Sequence, residues 1–315
     1  MLVAQNENRE LINLLDEMPD SGQRFFCPAC KSEVRLKCGL VKIPHFAHIS
    51  LNSCHSWTEN ESAEHLGLKK ELFAWAVSDA KVEVEKYLPE LGQTPDLLIN
   101  DKIAIEVQCS RLSVKRLWER TLNYRNNGYV VFWLMGNSLQ LGKTLNPLQK
   151  DLLYYSENRG FHYWELDIKR SCLRLKYLIH QNLHGQLAYL TEEFSFGGQE
   201  FLEILKKPYS AQILKELKVS NDKEIHKYIR RQLYHRTLYW MRLQSRYYSE
   251  GKSILNEKFS RQWMPPGLDI LTRQNTSRFC QITQDIASYY QNFLKYSTEN
   301  LYPPRYYAII NQKKR

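Results

Sequence analysis

Two hydrophobic periods alternate along the middle of the chain. In "ESAEHLGLKKELFAWAVSDA" (residues 61–80), Leu68, Leu72 and Ala76, and Leu66, Phe73 and Val77, recur at helical spacing with no proline between them. That spacing predicts a helix. The period then falls to two. "KVEVEKYL" (81–88) alternates, and "DLLI" (96–99) and "IAIEV" (103–107) are short apolar runs joined by "NDK", a hairpin-type turn. "SVKRLWERTLNYRNNG" (113–128) returns to helical spacing, with Asn126, Asn127 and Gly128 as its stop signal. "YVVFWLM" (129–135) is an almost unbroken apolar run, which predicts a strand covered on both faces. Residues 61–135 therefore read α-β-β-β-α-β. A helix in "PLQKDLLYYSEN" (147–158) and strands in "FHYWELD" (161–167) and "CLRLKYLI" (172–179) extend this unit to about residues 180–185.

Past "HQNLHGQ" (180–186) the texture changes. Residues 200–250 and 281–297 read as helices rich in Leu, Ile and Tyr, broken at "WMPPGLD" (263–269). Three regions result: a Cys/His-rich stretch (1–60), an α/β unit (61–185) and a mostly helical C-terminal region (190–315). Charge separates the last from the rest. Residues 200–315 hold 21 Lys and Arg against 10 Asp and Glu, a net of +11, while residues 1–199 have a net of −1. A basic region this one-sided points to a polyanion, with DNA the default partner. Hydrophobic residues make up 43% of the chain and charged residues 25%, an ordinary globular composition, and no apolar stretch has the length of a membrane span. The first twenty residues lack the layout of a signal peptide, so a cytoplasmic protein is expected. There the seven cysteines are thiols or metal ligands rather than disulfides.

The hairpin at 92–110 carries the candidate chemistry. Asp96 opens one strand and Glu106 closes the other, so antiparallel pairing brings them side by side, and Gln108 shares a face with Glu106. Two carboxylates at adjoining strand ends suit Mg²⁺ or Mn²⁺. If both are ligands they repel one another when no ion is bound, and removing either leaves the fold no less stable. A solvated surface hairpin accounts for Asp96 but not for Glu106, which interrupts a run that otherwise looks buried.

Pro95-Asp96 followed by Glu106-Val107-Gln108 resembles the PD-(D/E)xK nuclease pattern, with Gln where Lys is commonest. The α-β-β-β-α-β order is similar to the restriction-endonuclease-like core. Glu64 matches the acidic residue that this superfamily often places on the preceding helix. With the N-terminal "CPAC", "HFAH" and a further Cys, the chain resembles the competence protein CoiA-like family, most strongly over residues 24–135. The resemblance implies metal-dependent phosphodiester cleavage of incoming DNA in natural transformation, before or during recombination. Asp96, Glu106 and Glu64 would serve the ion, and Gln108 would orient water or phosphate. It also leaves a second role open: a nuclease-fold adaptor, weak or inactive in catalysis, that binds DNA and recombination proteins. Lys69 and Lys70 are the residues that would replace the missing lysine charge, although their default reading is a solvated helix face.

Cys27-Pro28-Ala29-Cys30 has zinc-knuckle spacing. Zinc takes four ligands, and Cys38, His45, His48, Cys54 and His55 are the candidates to complete the set. Cys27, Cys30, His48 and Cys54 form the favoured set, with His45 as the competitor of His48. In the C-terminal region, "KYIRRQLYHRTLYWMRLQSRYY" reads as one helix from Lys227. Lys227, Arg231, His235, Arg242 and Arg246 form a basic stripe on it, interleaved with tyrosines. Cations for phosphates and aromatics for bases suit single-stranded DNA.

Overall fold

The computed structural model describes residues 1–20, 22–50, 61–269, 278–296 and 299–313. Five short strands open the chain: β1 (Val3–Gln5), β2 (Leu11–Asn13), β3 (Phe25–Phe26), β4 (Glu33–Lys37) and β5 (His45–His48). They pair antiparallel in the order β2-β1-β3-β4-β5. Met1, Ala4, Phe25, Cys27, Val34 and Phe46 form a small separate core beneath them. These strands are too short for alternation to show in the sequence.

Next come α1 (Ala63–Ala76), β6 (Val82–Val84), β7 (Leu97–Ile99), β8 (Ile103–Gln108), α2 (Val114–Asn126) and β9 (Val130–Met135), the expected α-β-β-β-α-β order. Serines cap both helices: Ser62 Oγ accepts from His65 N at 3.1 Å and Ser113 Oγ from Arg116 N at 3.2 Å. The β7–β8 turn holds Asn100 and Asp101 at φ of 49° and 54°, which suits their short polar side chains. β8 and β9 run parallel over six residue pairs, with α2 as the crossover. Trp133, Leu134 and Met135 are fully buried, in keeping with the apolar run.

The sheet continues through α3 (Pro147–Asp151), β10 (Tyr154–Ser156), β11 (Gly160–Asp167), β12 (Cys172–Asn182) and β13 (Leu187–Ser195). Its order is β13-β12-β11-β9-β8-β7-β6, with β10 paired to β11. Two expectations change here. The helix read over 147–158 stops at Asp151, because Tyr154–Ser156 pair with Gly160–His162 in a tight hairpin and the β preference of Tyr-Tyr prevails. The boundary placed at 185–190 falls inside the β12–β13 hairpin, whose strands pair from Cys172–Ser195 to Gln181–Leu187.

The C-terminal part contains α4 (Phe201–Lys206), β14 (Leu217–Lys218), α5 (Ile225–Tyr234), α6 (Leu238–Ser249), β15 (Trp263–Met264), α7 (Ala287–Tyr296), β16 (Asn300–Leu301) and α8 (Pro304–Lys313). The single helix read from Lys227 is two helices. Arg236 takes φ of 52° between them, and Ile225, Ile229, Trp240 and Leu243 pack the pair together. α7 and α8 instead add Tyr289, Tyr290, Phe293 and Tyr307 to the main core. Among the described residues no helix is long and apolar enough to cross a membrane.

Candidate active site

The register pairs Leu97 with Ile105, so one step further Asp96 stands opposite Glu106. Both are buried, and each has its own cationic partner. Asp96 Oδ2 accepts from Val107 N at 2.7 Å and lies 3.2 Å from His65 Nε2, while Lys69 Nζ lies 3.6 Å from Asp96 Oδ1. Glu106 Oε1 accepts from Arg120 Nη2 at 2.5 Å and from Tyr124 Oη at 2.7 Å. The Arg120 guanidinium also lies 5.3 Å from the centre of the Trp133 ring. Asp96 is thus paired with cations from α1 and Glu106 with Arg120 from α2, while the Asp96 charge still disfavours ionised Glu106, as expected of two neighbouring carboxylates.

α1 supplies more than its apolar spacing predicts. Glu61, His65 and Lys69 follow at four-residue intervals and so share one side of the helix and its lead-in. His65 Nδ1 lies 3.3 Å from Glu61 Oε1. Lys69 is fully buried and paired with both Glu61 and Glu85, which corrects its reading as a solvated lysine. Glu85 holds this position with φ of 48°, and its Oε2 accepts from Leu2 N at 2.6 Å and Val3 N at 3.1 Å. Glu64 faces elsewhere: its Oε1 accepts from Asn137 N at 2.7 Å, beside Gly136 at the end of β9. Gln108 Nε2 donates to Ser110, at 3.0 Å to its carbonyl and 3.3 Å to its hydroxyl.

Burial and charge set the protonation states. Burial opposes a charge on His65, but Asp96 and Glu61 outweigh it and raise the imidazole to about 9. Burial likewise disfavours ionised Asp96 and Glu61, yet His65 and Lys69 around Asp96, and Lys69 beside Glu61, hold both carboxyls below their ordinary range. Glu106 goes the other way. Burial pushes it up to about 7 in spite of Arg120. Glu61, His65 and Asp96 each offer a ligand atom, and these atoms lie within 4.8 Å of one another. Two carboxylates and an imidazole are a donor set that fits Mn²⁺ or Mg²⁺, the nitrogen favouring Mn²⁺. His65 must give up its proton to serve, so binding of an ion here releases one.

In the N-terminal sheet, Cys27, Cys30 and His48 also place ligand atoms within 4.8 Å of one another, with Cys30 Sγ 3.4 Å from His48 Nε2. His45 is outside this group; its Nδ1 lies 2.9 Å from the Ile43 carbonyl. Cys54 and His55 lie outside the described residues. Of the basic stripe, Lys227 and Arg231 are exposed on α5 and Arg242 and Arg246 on α6, with His235 in the turn between, so the five do not share one helix face.

The fold and this site define a mixed α/β protein built around a nuclease-like domain. Residues 61–207 match the family described as "Competence protein CoiA, nuclease-like domain", and residues 7–56 match "Competence protein CoiA, N-terminal domain". The two matches together cover more than half of the chain, which belongs to the competence protein CoiA family. It is similar to "Competence protein CoiA" of Bacillus subtilis (strain 168), with 34% identity over 166 residues, 50% of this chain and 44% of that protein. The match thus spans less than half the length of this relative. No solved structure matches the chain.

Proposed function

We propose that the chain is a divalent-metal-dependent deoxyribonuclease acting in the cytoplasm on incoming transforming DNA, before or during recombination. The observation that carries this reading is the convergence of Glu61, His65 and Asp96 at the mouth of the β7–β8 hairpin. It lies within a domain whose element order supports a restriction-endonuclease-like, PD-(D/E)xK assignment. Asp96, with Glu61 and His65, would hold Mg²⁺ or Mn²⁺, and Glu106 lies on the adjoining strand. A bound ion of this kind polarises the scissile phosphate and lowers the pKa of the attacking water. Lys69 supplies the positive charge that Gln108 lacks, and Gln108 is left to orient water or phosphate. Glu64, next to His65 in the chain but turned toward Asn137, is the outlying member of the set. A Zn²⁺ on Cys27, Cys30, His48 and Cys54 is assigned a structural role, since six buried residues are a small core for five strands. Single-stranded DNA and recombination proteins are the proposed partners of the basic α5–α6 surface.

One observation favours a second reading, the adaptor without catalysis. Glu106 is committed to Arg120 and Tyr124, and the Lys69 ammonium sits among the carboxylates that an ion would use. Incubating purified protein with labelled single- and double-stranded DNA decides between them. The nuclease reading expects cleavage with Mn²⁺, none with chelator, and none in Asp96→Asn. DNA binding without any cleavage across metals leaves the adaptor.

A further inference from the structure

A cleft of about 490 Å³ opens beside the candidate active site, between the 92–94 turn and α2. This is within the size range of small-ligand sites. Gln93 and Thr94 come from the chain leading into Asp96, and Arg116, Glu119, Arg120 and Asn123 come from α2. The two walls are tied together. Gln93 Nε2 donates to the Arg120 carbonyl at 3.4 Å, and Asn123 Nδ2 donates to the Leu91 carbonyl at 2.9 Å. Arg116, Glu119 and Arg120 are the charged residues of its lining, and Glu119 pairs with Lys115 at 3.7 Å. Arg120 belongs to two places at once. It lines this cleft and neutralises Glu106.

We propose that the cleft is a phosphodiester subsite, holding the DNA strand next to the cleaved bond through Arg116, with Arg120 linking its occupation to Glu106. This rests on the nuclease reading above. The planar guanidinium fork matches paired phosphate oxygens, and the site's side-chain amides supply neutral hydrogen bonds beside it. A phosphate that draws on Arg120 takes countercharge from Glu106, which keeps its bond from Tyr124. A cation among the neighbouring carboxylates then becomes the compensating charge. DNA and a divalent ion therefore bind with positive coupling, and the coupling is reciprocal.

The test uses the full chain and a fluorescent oligothymidylate, without added divalent ion. Arg116→Glu weakens binding by about tenfold or more, and Glu119→Lys tightens it by about threefold, both with unchanged melting temperature. Arg170→Glu, at the exposed β11–β12 turn, controls for overall charge. If the two cleft variants move affinity no more than that control does, the cleft is not a subsite. If the unaltered chain shows no salt-sensitive binding at all, the nuclease reading itself fails. Calorimetric titration of Mn²⁺ with and without a cleavage-resistant phosphorothioate oligothymidylate reads the link. The DNA raises Mn²⁺ affinity about fivefold or more in the unaltered chain, and this gain is lost in Arg120→Gln. Equal Mn²⁺ affinity with and without DNA in the unaltered chain overturns the Arg120 link.

Discussion

Glu106 interrupts an apolar strand, and its environment explains how it is tolerated. Arg120 and Tyr124 both donate to one oxygen, so the carboxyl is buried with partners rather than alone. Removing it strands a largely buried guanidinium, and Glu106→Ala should cost about 3–5 kcal/mol in urea unfolding. Glu106→Gln, which keeps an acceptor, should cost clearly less. A repelling metal pair would behave oppositely and lose no stability. Two other buried residues contribute to the acid response. His162 and His180 lie inside the sheet, and burial lowers each to about 4. Their folded values lie below the ordinary 6.5, so the unfolded chain takes up these protons first as pH falls. The stability they contribute is full above about 6.5 and declines toward about 4, by roughly 3 kcal/mol each at the limit. His65 has the opposite sign: its contribution is full below about 6.5 and is lost as pH rises through about 9. His162→Asn should therefore lose less stability than the unaltered chain between about pH 7.5 and about pH 5, read as the change in urea midpoint of each over that range. Asn retains a donor for the Gly160 carbonyl, which His162 Nδ1 serves at 3.0 Å.

Elements were legible where the chain repeats a period long enough to count. α1, β7, β8, α2 and β9 each show an apolar pattern with a turn or cap at its end. The polar pattern on α1 does not announce a site: Glu61, His65 and Lys69 stand at helical intervals, but charged residues at that spacing normally describe a solvated face. Only the approach of Glu85 and Asp96 makes that face interior, and neither neighbour follows from local sequence. β13 leaves no signal in the sequence because it is an edge strand, half-exposed along most of its length, with no clean alternation. The α5–α6 break leaves no signal either, because "YHRTLY" contains neither Gly nor Pro. Arg236 adopts the left-handed conformation there against its own preference, so Arg236→Gly should gain up to about 1 kcal/mol. Chemical denaturation of the full chain checks this, and a loss of stability would mean the arginine side chain holds the hairpin together. The β3–β4 turn carries the corresponding metal test. Protein purified without added metal should contain about one zinc per chain, and Cys27→Ser should lose both the zinc and part of the folded signal. Protein without zinc, and unmoved by chelator, removes the knuckle.

At the scale of the whole molecule, the basic C-terminal third is not a detachable arm. β15 pairs with the end of β12, the Phe279 ring lies 5.2 Å from Phe161, and Tyr289 lies 5.8 Å from Tyr155. Arg125 Nη1 donates to the Cys280 carbonyl at 2.5 Å, and Arg305 N donates to the Glu157 carbonyl at 2.9 Å. The charge asymmetry along the sequence was real, but charge says nothing about which aromatic residues complete a core. A chain ending near residue 190 would also lose β13, which covers one edge of β12. Such a truncation should lose cooperative unfolding altogether, so its DNA binding could not be read as a measure of the basic surface. Charge reversal can. Lys227, Arg231, Arg242 and Arg246 are exposed, so replacing them with Glu should change stability by less than about 0.5 kcal/mol each. If these four cations contact phosphates, the slope of log affinity against log salt should fall by about one for each residue reversed. A reversed protein that melts normally and keeps both its affinity and its salt slope would move DNA recognition away from α5–α6. The cations around the β7–β8 site would then be the remaining candidates, and this helical pair would be free to contact a protein instead.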